Sequence, residues 1–226
     1  MLLVKKFQIL YLPSQKLNMK YILSVVAVVF FSNVLFAQND PNAKKVLDAV
    51  GAKVKSFKSI SGGFTIKSVT SKGKSNGTKT GTISMKGSKY VLKQGKTEII
   101  CDGAKTYSFD GSKTITVGPA EDASKSLTPQ KILSGAYDKE FTYKLISSAG
   151  TTHEIELTPI DTKKNFKKVT VYVDKAKSII NKAKVLDKSN NVLEFSFSNL
   201  NTNANLTDAA FVFNKSKYPK DVEILD

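Results

Sequence analysis

The sequence predicts a mainly β protein with some α: an antiparallel barrel or strongly curved sheet with one apolar face, and two or three helices laid across its mouth. Three observations carry this expectation. Short runs with apolar residues at every second position recur along the chain, about eleven in all. Gly, Asn and Asp clusters separate many of them at hairpin distances. No helix alternates regularly with the strands, which argues against a parallel α/β arrangement.

The chain has 226 residues, 41% hydrophobic and 24% charged, which is the composition of an ordinary globular protein. Its first segment does not read as part of the fold. Met19-Lys20, an apolar run from Tyr21 to Phe36, and Ala37 before polar Gln38, Asn39 and Asp40 have the layout of a secretory leader. The expected division is therefore a leader at 1–37 and one domain at 38–226, with residues 1–18 reading as an over-long start. The apolar run is shorter than the roughly 20 residues of a membrane-spanning helix. A bacterial lipoprotein would carry Cys directly after the cleavage point, yet the one cysteine is Cys101. For a bacterial source the expected location is the periplasm, as a soluble protein. With one Cys no intramolecular disulfide can form, and Cys101 reads as a small buried hydrophobe.

Every basic residue is Lys. Removing Lys5, Lys6, Lys16 and Lys20 with the leader takes the formal charge from +16 to +12. Such a balance can indicate nucleic acid, but export and the absence of Arg for bidentate readout argue against it. A solvated Lys surface, or attraction to anionic membranes or acidic proteins, remains.

Asp40-Pro41 opens a helix, since Asp caps well and Pro is tolerated at the first helical position. Ala43, Val46, Leu47, Val50, Val54 and Phe57 follow at helical spacing, giving an amphipathic helix of about four turns. After Gly62-Gly63 the period becomes two: Phe64 and Ile66, a polar loop at 71–76, then Ile83 and Met85. From Tyr90 to Val117 the pairs Tyr90/Leu92, Ile99/Cys101, Tyr107/Phe109 and Ile115/Val117 read as one greasy face. Asp102-Gly103 and Asp110-Gly111 predict two-residue hairpin turns between the last of these runs. An acidic loop around Glu121 and Asp122 precedes Thr128-Pro129, which cap and start a short helix that Gly135 ends. Strands resume at Phe141/Tyr143/Leu145, Ile155/Leu157, Val169/Val171/Val173 and Phe195/Phe197, whereas 178–186 lacks a clear pattern. Leu206-Thr207-Asp208 reads as a last helical turn.

Chemistry is hard to find. His153, the one histidine, stands in a strand and is expected on its polar face. No paired His or Cys offers a metal site, no Gly-rich loop opens a helix, and no carboxylate pair stands out. The expectation is no enzyme, no metal and no cofactor, which leaves the apolar sheet face as the functional surface.

Several stretches carry a family resemblance. They are Val54-Lys55-Ser56-Phe57 ending the helix, Gly81-Thr82-Ile83, the run from Ile99 to Asp110, Leu127-Thr128-Pro129, Glu156-Leu157-Thr158-Pro159, and Phe211-Val212-Phe213 ahead of Pro219-Lys220-Asp221-Val222. In this order the chain from Gln38 onward resembles the outer-membrane lipoprotein carrier family LolA. The resemblance implies a half-open β-barrel with a helical lid over a hydrophobic cavity. It also implies a monomeric carrier whose partners are acylated lipoproteins, an inner-membrane ABC transporter of the Lol type and an outer-membrane acceptor, with no nucleic acid. The family often has Arg-Pro after the second strand, whose Arg bonds the lid. This chain has Lys86-Gly87-Ser88-Lys89 there, and Lys lacks the planar fork.

The cavity expected on this reading has Phe64, Ile66, Ile83, Met85, Tyr90, Leu92, Ile99, Cys101, Tyr107 and Phe109 on one wall and Phe141, Tyr143, Leu145, Phe195 and Phe197 on the other. Val46, Leu47, Val50, Ile132 and Leu133 face it from the helices. The alternatives are a carrier or sensor of another lipid or glycolipid on the same fold, and a secreted structural or adhesion β-protein that binds no lipid.

Overall fold

In a computed structural model the described residues are 39–120, 127–135 and 137–226. The expected leader and the acidic loop around Glu121 and Asp122 lie outside the described residues. Within them, twelve strands form one sheet: β1 (Ile60–Val69), β2 (Ser75–Lys86), β3 (Lys89–Gln94), β4 (Thr97–Cys101), β5 (Lys105–Phe109), β6 (Thr114–Pro119), β7 (Phe141–Ser147), β8 (Thr152–Pro159), β9 (Phe166–Asp174), β10 (Ile179–Asp187), β11 (Val192–Asn201) and β12 (Glu223–Leu225). The strand order is β12-β6-β5-β4-β3-β2-β1-β11-β10-β9-β8-β7. Two antiparallel meanders, β1 to β6 and β7 to β11, therefore meet at the β1–β11 seam, and β12 alone is parallel. The expected curved antiparallel sheet, mainly β with α and open between β12 and β7, is the fold observed.

Two helices lie on its inner face, α1 (Pro41–Ser56) and α2 (Pro129–Ser134). As expected, Asp40 caps α1: its Oδ1 accepts from the N–H of Asn42 at 2.8 Å and of Ala43 at 3.4 Å. The other carboxylate oxygen does a second job. Asp40 Oδ2 accepts from the Leu145 N–H at 2.9 Å, Asn39 Oδ1 accepts from the Tyr143 N–H at 3.0 Å, and the Asp40 N–H donates to the Tyr143 carbonyl at 3.1 Å. Residues 39 and 40 thus cover the otherwise unpaired edge of β7, and the helix starts from that edge.

From there α1 buries Ala43, Leu47 and Val50 on the sheet, each Leu or Val contributing about 1.5–3 kcal/mol if wholly removed from water. The helix α2 ends at Gly135, whose φ is 68°. A Cβ there would lie 2.9 Å from Val50 Cγ1, so Gly135 is required both by its left-handed backbone and by the close approach of α1. Below α2, buried Tyr137 donates its hydroxyl to the Ile132 carbonyl, while Lys131 and Lys164 both hold Glu140.

Three local expectations are corrected. The Asp-Gly connections are longer than two residues, because β4 ends at Cys101 and β5 begins at Lys105, and β6 begins only at Thr114. The aspartate side chains fold these loops: Asp102 Oδ1 accepts from the N–H groups of Ala104 and Lys105, and Asp110 Oδ1 from those of Ser112, Lys113 and Thr114. Two-residue connections occur at Gly87-Ser88 and Gly95-Lys96 instead. The unpatterned stretch 178–186 falls in β10, where Ile180 pairs with Val173 but Lys182 pairs with Tyr172. Asn181 is the extra residue of a bulge, so Ile180 and Ala183 both point inward despite their odd spacing. The last helical turn is a 3₁₀ turn at Asp208–Phe211, and the chain then ends in β12, which no alternating pattern marks.

Two outcomes follow. Gly135→Ala should destabilise the protein by about 1–3 kcal/mol, from a strained φ and an overlap with Val50, measured by chemical denaturation. Asp40→Ala should speed amide hydrogen exchange in α1 while β9 and β10 stay protected; equal loosening of both would contradict the edge tie. The Leu145 and Asn42 N–H groups hold the Asp40 carboxyl below the ordinary aspartate range. Its contribution is thus complete above the unfolded pKa and lost as pH falls through the depressed folded one, so helix loosening should begin only under strongly acidic conditions.

Candidate functional site: the covered apolar face

The inner face of the sheet is set by strand register, because residues directly opposite each other project to the same side. Met85 opposes Tyr90, Tyr90 opposes Cys101, and Ile83 and Ile99 both oppose Leu92. Across the seam Phe64 faces Phe197 and Ile66 faces Phe195. Tyr143 faces Leu157, and Leu145 faces Ile155. Phe141, buried, packs edge-on against Tyr137 at 5.8 Å. All these expected wall residues line one continuous apolar surface, in two packed groups that share Val54, Ile66 and Phe197.

The helices fill it from above. Val46, Leu47 and Val50 of α1 and Ile132 of α2 pack on the β7 to β11 half, and Leu133 on the β1 to β4 half. Phe64 can lie flat there because Gly81 stands opposite it: a Cβ on Gly81 would overlap both the Phe64 ring and the Lys93 carbonyl. Burial drives the Tyr90 phenol up to about 12, helped by Cys101, and also raises the Cys101 thiol. Both groups are neutral at physiological pH, so neither adds charge to this wall.

Tyr107 and Phe109 do not belong to it. Cys101 pairs with Thr106 and Ile100 with Tyr107, so the even number of residues between Cys101 and Thr106 turns Thr106 and Ser108 inward and Tyr107 and Phe109 outward. There Tyr107 stacks on Phe213 at 4.4 Å and Phe109 meets Tyr218 edge-on at 5.0 Å, while Phe211 is buried against Val91 and Ile100. The C-terminal segment thus seals the outer face. His153 shifts the other way: it opposes Val173 and shares the face of Ile155, not the polar one. Its Nδ1 lies 2.9 Å from Ser148 Oγ, and partial burial, then Lys175, lower its pKa.

Residues outside the expected lining also form the wall. Val169, Val171 and Val173 of β9 and Ala183 and Val185 of β10 are buried beneath α1. The β9 alternation is visible in the sequence; its side of the sheet is not.

Lys86 and Lys89 do not reach the helices. Met85 and Tyr90 point inward, so their neighbours Lys86 and Lys89 point outward, where both pair with Asp208 at 3.3 and 3.2 Å. Closure rests on other contacts. Among the described residues, the polar ties from residues 39–56 to the sheet side lie at Asn39, Asp40 and Lys44, whose Nζ is 3.5 Å from Asp138. The C-terminal half of α1, with Val54, and Phe57 just beyond it are held by apolar contact among the described residues. Beside it a cavity of about 300 Å³ opens between Val54, Phe57, Gln130 and Ser134 and reaches Ile60 and Met85 on the wall. Among the described residues its lining combines Val54, Phe57, Ile60 and Met85 with Lys55, Ser59, Gln130 and Ser134, so it offers apolar surface beside the end of the cover.

The profile described as "Outer membrane lipoprotein carrier protein LolA" matches residues 55–214. Comparison with curated protein sequences gives no match. Among solved structures, a conserved protein from Thermus thermophilus is similar at TM-score 0.54 and 11% identity, over 81% of this chain and 98% of that one. A LolA superfamily protein from Nitrosomonas europaea gives TM-score 0.45 and 15% identity over 76% and 97%. The Mycobacterium tuberculosis lipoprotein LppX gives 0.44 and 13% over 75% and 100%. The profile match spans most of the sequence, and the chain belongs to the LolA family of outer membrane lipoprotein carrier proteins.

Proposed function

We propose that this protein is a periplasmic, non-enzymatic carrier that shields the acyl chains of lipoproteins against its inner sheet face and hands them on toward the outer membrane. The observation that carries the reading is the way α1 covers the apolar wall: among the described residues polar bonds hold its first turns, while apolar contact holds the rest. Family membership supports it.

Such a cover lends itself to exchange. An acyl chain entering beside Val54 and Phe57 displaces side chains from Ile60, Met85 and their neighbours and replaces their contacts with its own methylenes. Each methylene removed from water contributes about 0.8 kcal/mol, so a chain gains much by leaving water. Its net gain inside the protein is smaller, because the helix contacts it displaces were apolar too. Loading and release can therefore be biased by modest differences in affinity between open and closed forms. Met85 and the phenylalanines suit an adaptable lining. On this reading the donor is an inner-membrane ABC transporter of the Lol type and the receiver an outer-membrane acceptor, with the carrier working as a monomer.

The test is mass spectrometry of species bound to the protein purified from its own periplasm without detergent, combined with depletion. Acylated lipoproteins are expected in the bound fraction, and depletion is expected to leave them at the inner membrane. A bound fraction holding only free lipids, with lipoproteins correctly sorted after depletion, would overturn the assignment.

A further inference from the structure

Along the side of α1 the edge of the apolar wall opens to solvent and gains a charged rim that the covered part lacks. Asn42, Val46, Ala49 and Lys53 follow one another at three- and four-residue steps and form one stripe along the helix, with Lys45 beside Val46 and Phe57 just past the helix end. Two depressions run along this stripe, of about 430 and 690 Å³, and they adjoin at Asp174. The first has Val46, Leu145 and Val173 in its floor, the second Phe57, Phe197 and Leu200.

The rim is cationic. Lys45 and Lys53 line it from the helix, and Lys175 and Lys177 from the β9–β10 turn. Among the described residues Asp174 is the one acid lining either depression, and its Oδ1 already accepts from the Lys177 N–H at 2.9 Å. The Lys175 ammonium is fixed, donating to the carbonyls of Ser148 at 2.7 Å and Gly150 at 2.9 Å. Among the described residues no ion pair engages Lys45, Lys53 or Lys177, although ten other lysines of the fold have carboxylate partners. An apolar floor under an uncompensated basic rim fits a molecule with both an aliphatic chain and a negative charge.

We propose that this groove binds an anionic amphiphile, its chain along the α1 stripe and its carboxylate or phosphate at Lys45, Lys53 and Lys177. The site lies between the side of the helix and the edge of the wall and does not require the helix to leave the wall. A ligand there touches α1 and the β9–β10 turn together, and so reports on or biases the position of the cover.

The experiment measures binding of a fluorescent long-chain fatty acid, its methyl ester and lysophosphatidylglycerol to the purified protein. The acid is expected to bind more tightly than the ester and more weakly as salt rises. The triple change Lys45→Gln, Lys53→Gln and Lys177→Gln should weaken it about tenfold, the scale of a few screened charge contacts. Ala49→Trp, which fills the groove from an exposed helix position, should abolish binding, and Lys67→Gln on the outer sheet face should not. Tighter binding of lysophosphatidylglycerol than of the fatty acid would identify a lipid headgroup as the source, and the reverse a free carboxylate. Equal affinity for acid and ester, or full binding by Ala49→Trp, overturns the proposal.

A spin-labelled fatty acid on the unaltered protein gives a readout independent of any variant. Broadening of the Ala49 and Lys177 amide signals is expected, whereas broadening confined to Ile83 and Leu92 overturns the groove site. Lipoprotein loading of the triple variant separates this site from the covered wall. Loading retained while fatty-acid binding is lost places the two ligands on different surfaces, and loss of both in equal measure overturns the groove as a separate site.

Discussion

One carboxylate joins the two parts that any cover-and-wall arrangement must join. Asp40 ends the run of unpaired N–H groups at the start of α1 with one oxygen and bonds the free edge of β7 with the other. A helix of 16 residues is about 24 Å long, and the arc from β7 to β1 spans five strand spacings, again about 24 Å. The helix that leaves β7 at Asp40 can therefore reach the start of β1 at Ile60, and it does. Polar fixing at the start, covalent continuation into β1 at the end and greasy contact between make α1 a strap rather than a plug. The Lys131–Glu140–Lys164 cluster and Tyr137 secure α2 separately, below the strap.

Much of this was legible in the chain. Asp40-Pro41 and Thr128-Pro129 mark helix starts by local chemistry, and Gly135 marks a helix end, so those boundaries required no knowledge of the fold. Alternation likewise found most strands, but it gives a relative face, not an absolute one. Carrying the inner face from Cys101 to Tyr107 requires knowing how many residues the intervening loop holds, and Asp102-Gly103 is compatible with more than one loop length. That single count sent Tyr107 and Phe109 outward. At Asn181 a bulge broke the period, which hid a fully buried Ile180. His153 looked polar by type, yet its register partner is Val173.

The departure at Lys86-Gly87-Ser88-Lys89 shows a different limit. The family resemblance set these lysines at the position of an Arg that bonds the lid, but alternation relative to Met85 and Tyr90 faces them away from it. Their partner Asp208 comes from a distant segment, and no local pattern announces such a pairing. The result is a fastening on the back of the sheet: Lys86 and Lys89 hold the segment whose Phe211 and Phe213 cover the outside of β3 to β5. One half of the sheet is consequently packed on both faces, while the half under α1 has an outer surface of charged and polar groups such as Lys182, Lys184 and Glu194 around Tyr172.

The seam between β1 and β11 bears on how the chain reaches this state. Each meander is built from hairpins between strands adjacent in sequence, and such pairings close short loops at low entropic cost. The seam instead joins Phe64 to Phe197 and Ile66 to Phe195, and nothing local favours it. Folding that proceeds as two quickly formed meanders must wait for this one distant pairing before the apolar wall becomes continuous. Until it forms, two half-sheets each present a bare apolar face and an open edge at β1 and at β11. The seam therefore carries the largest loop-closure cost of the pairings that build the wall, and it is the pairing that hides the edges of β1 and β11.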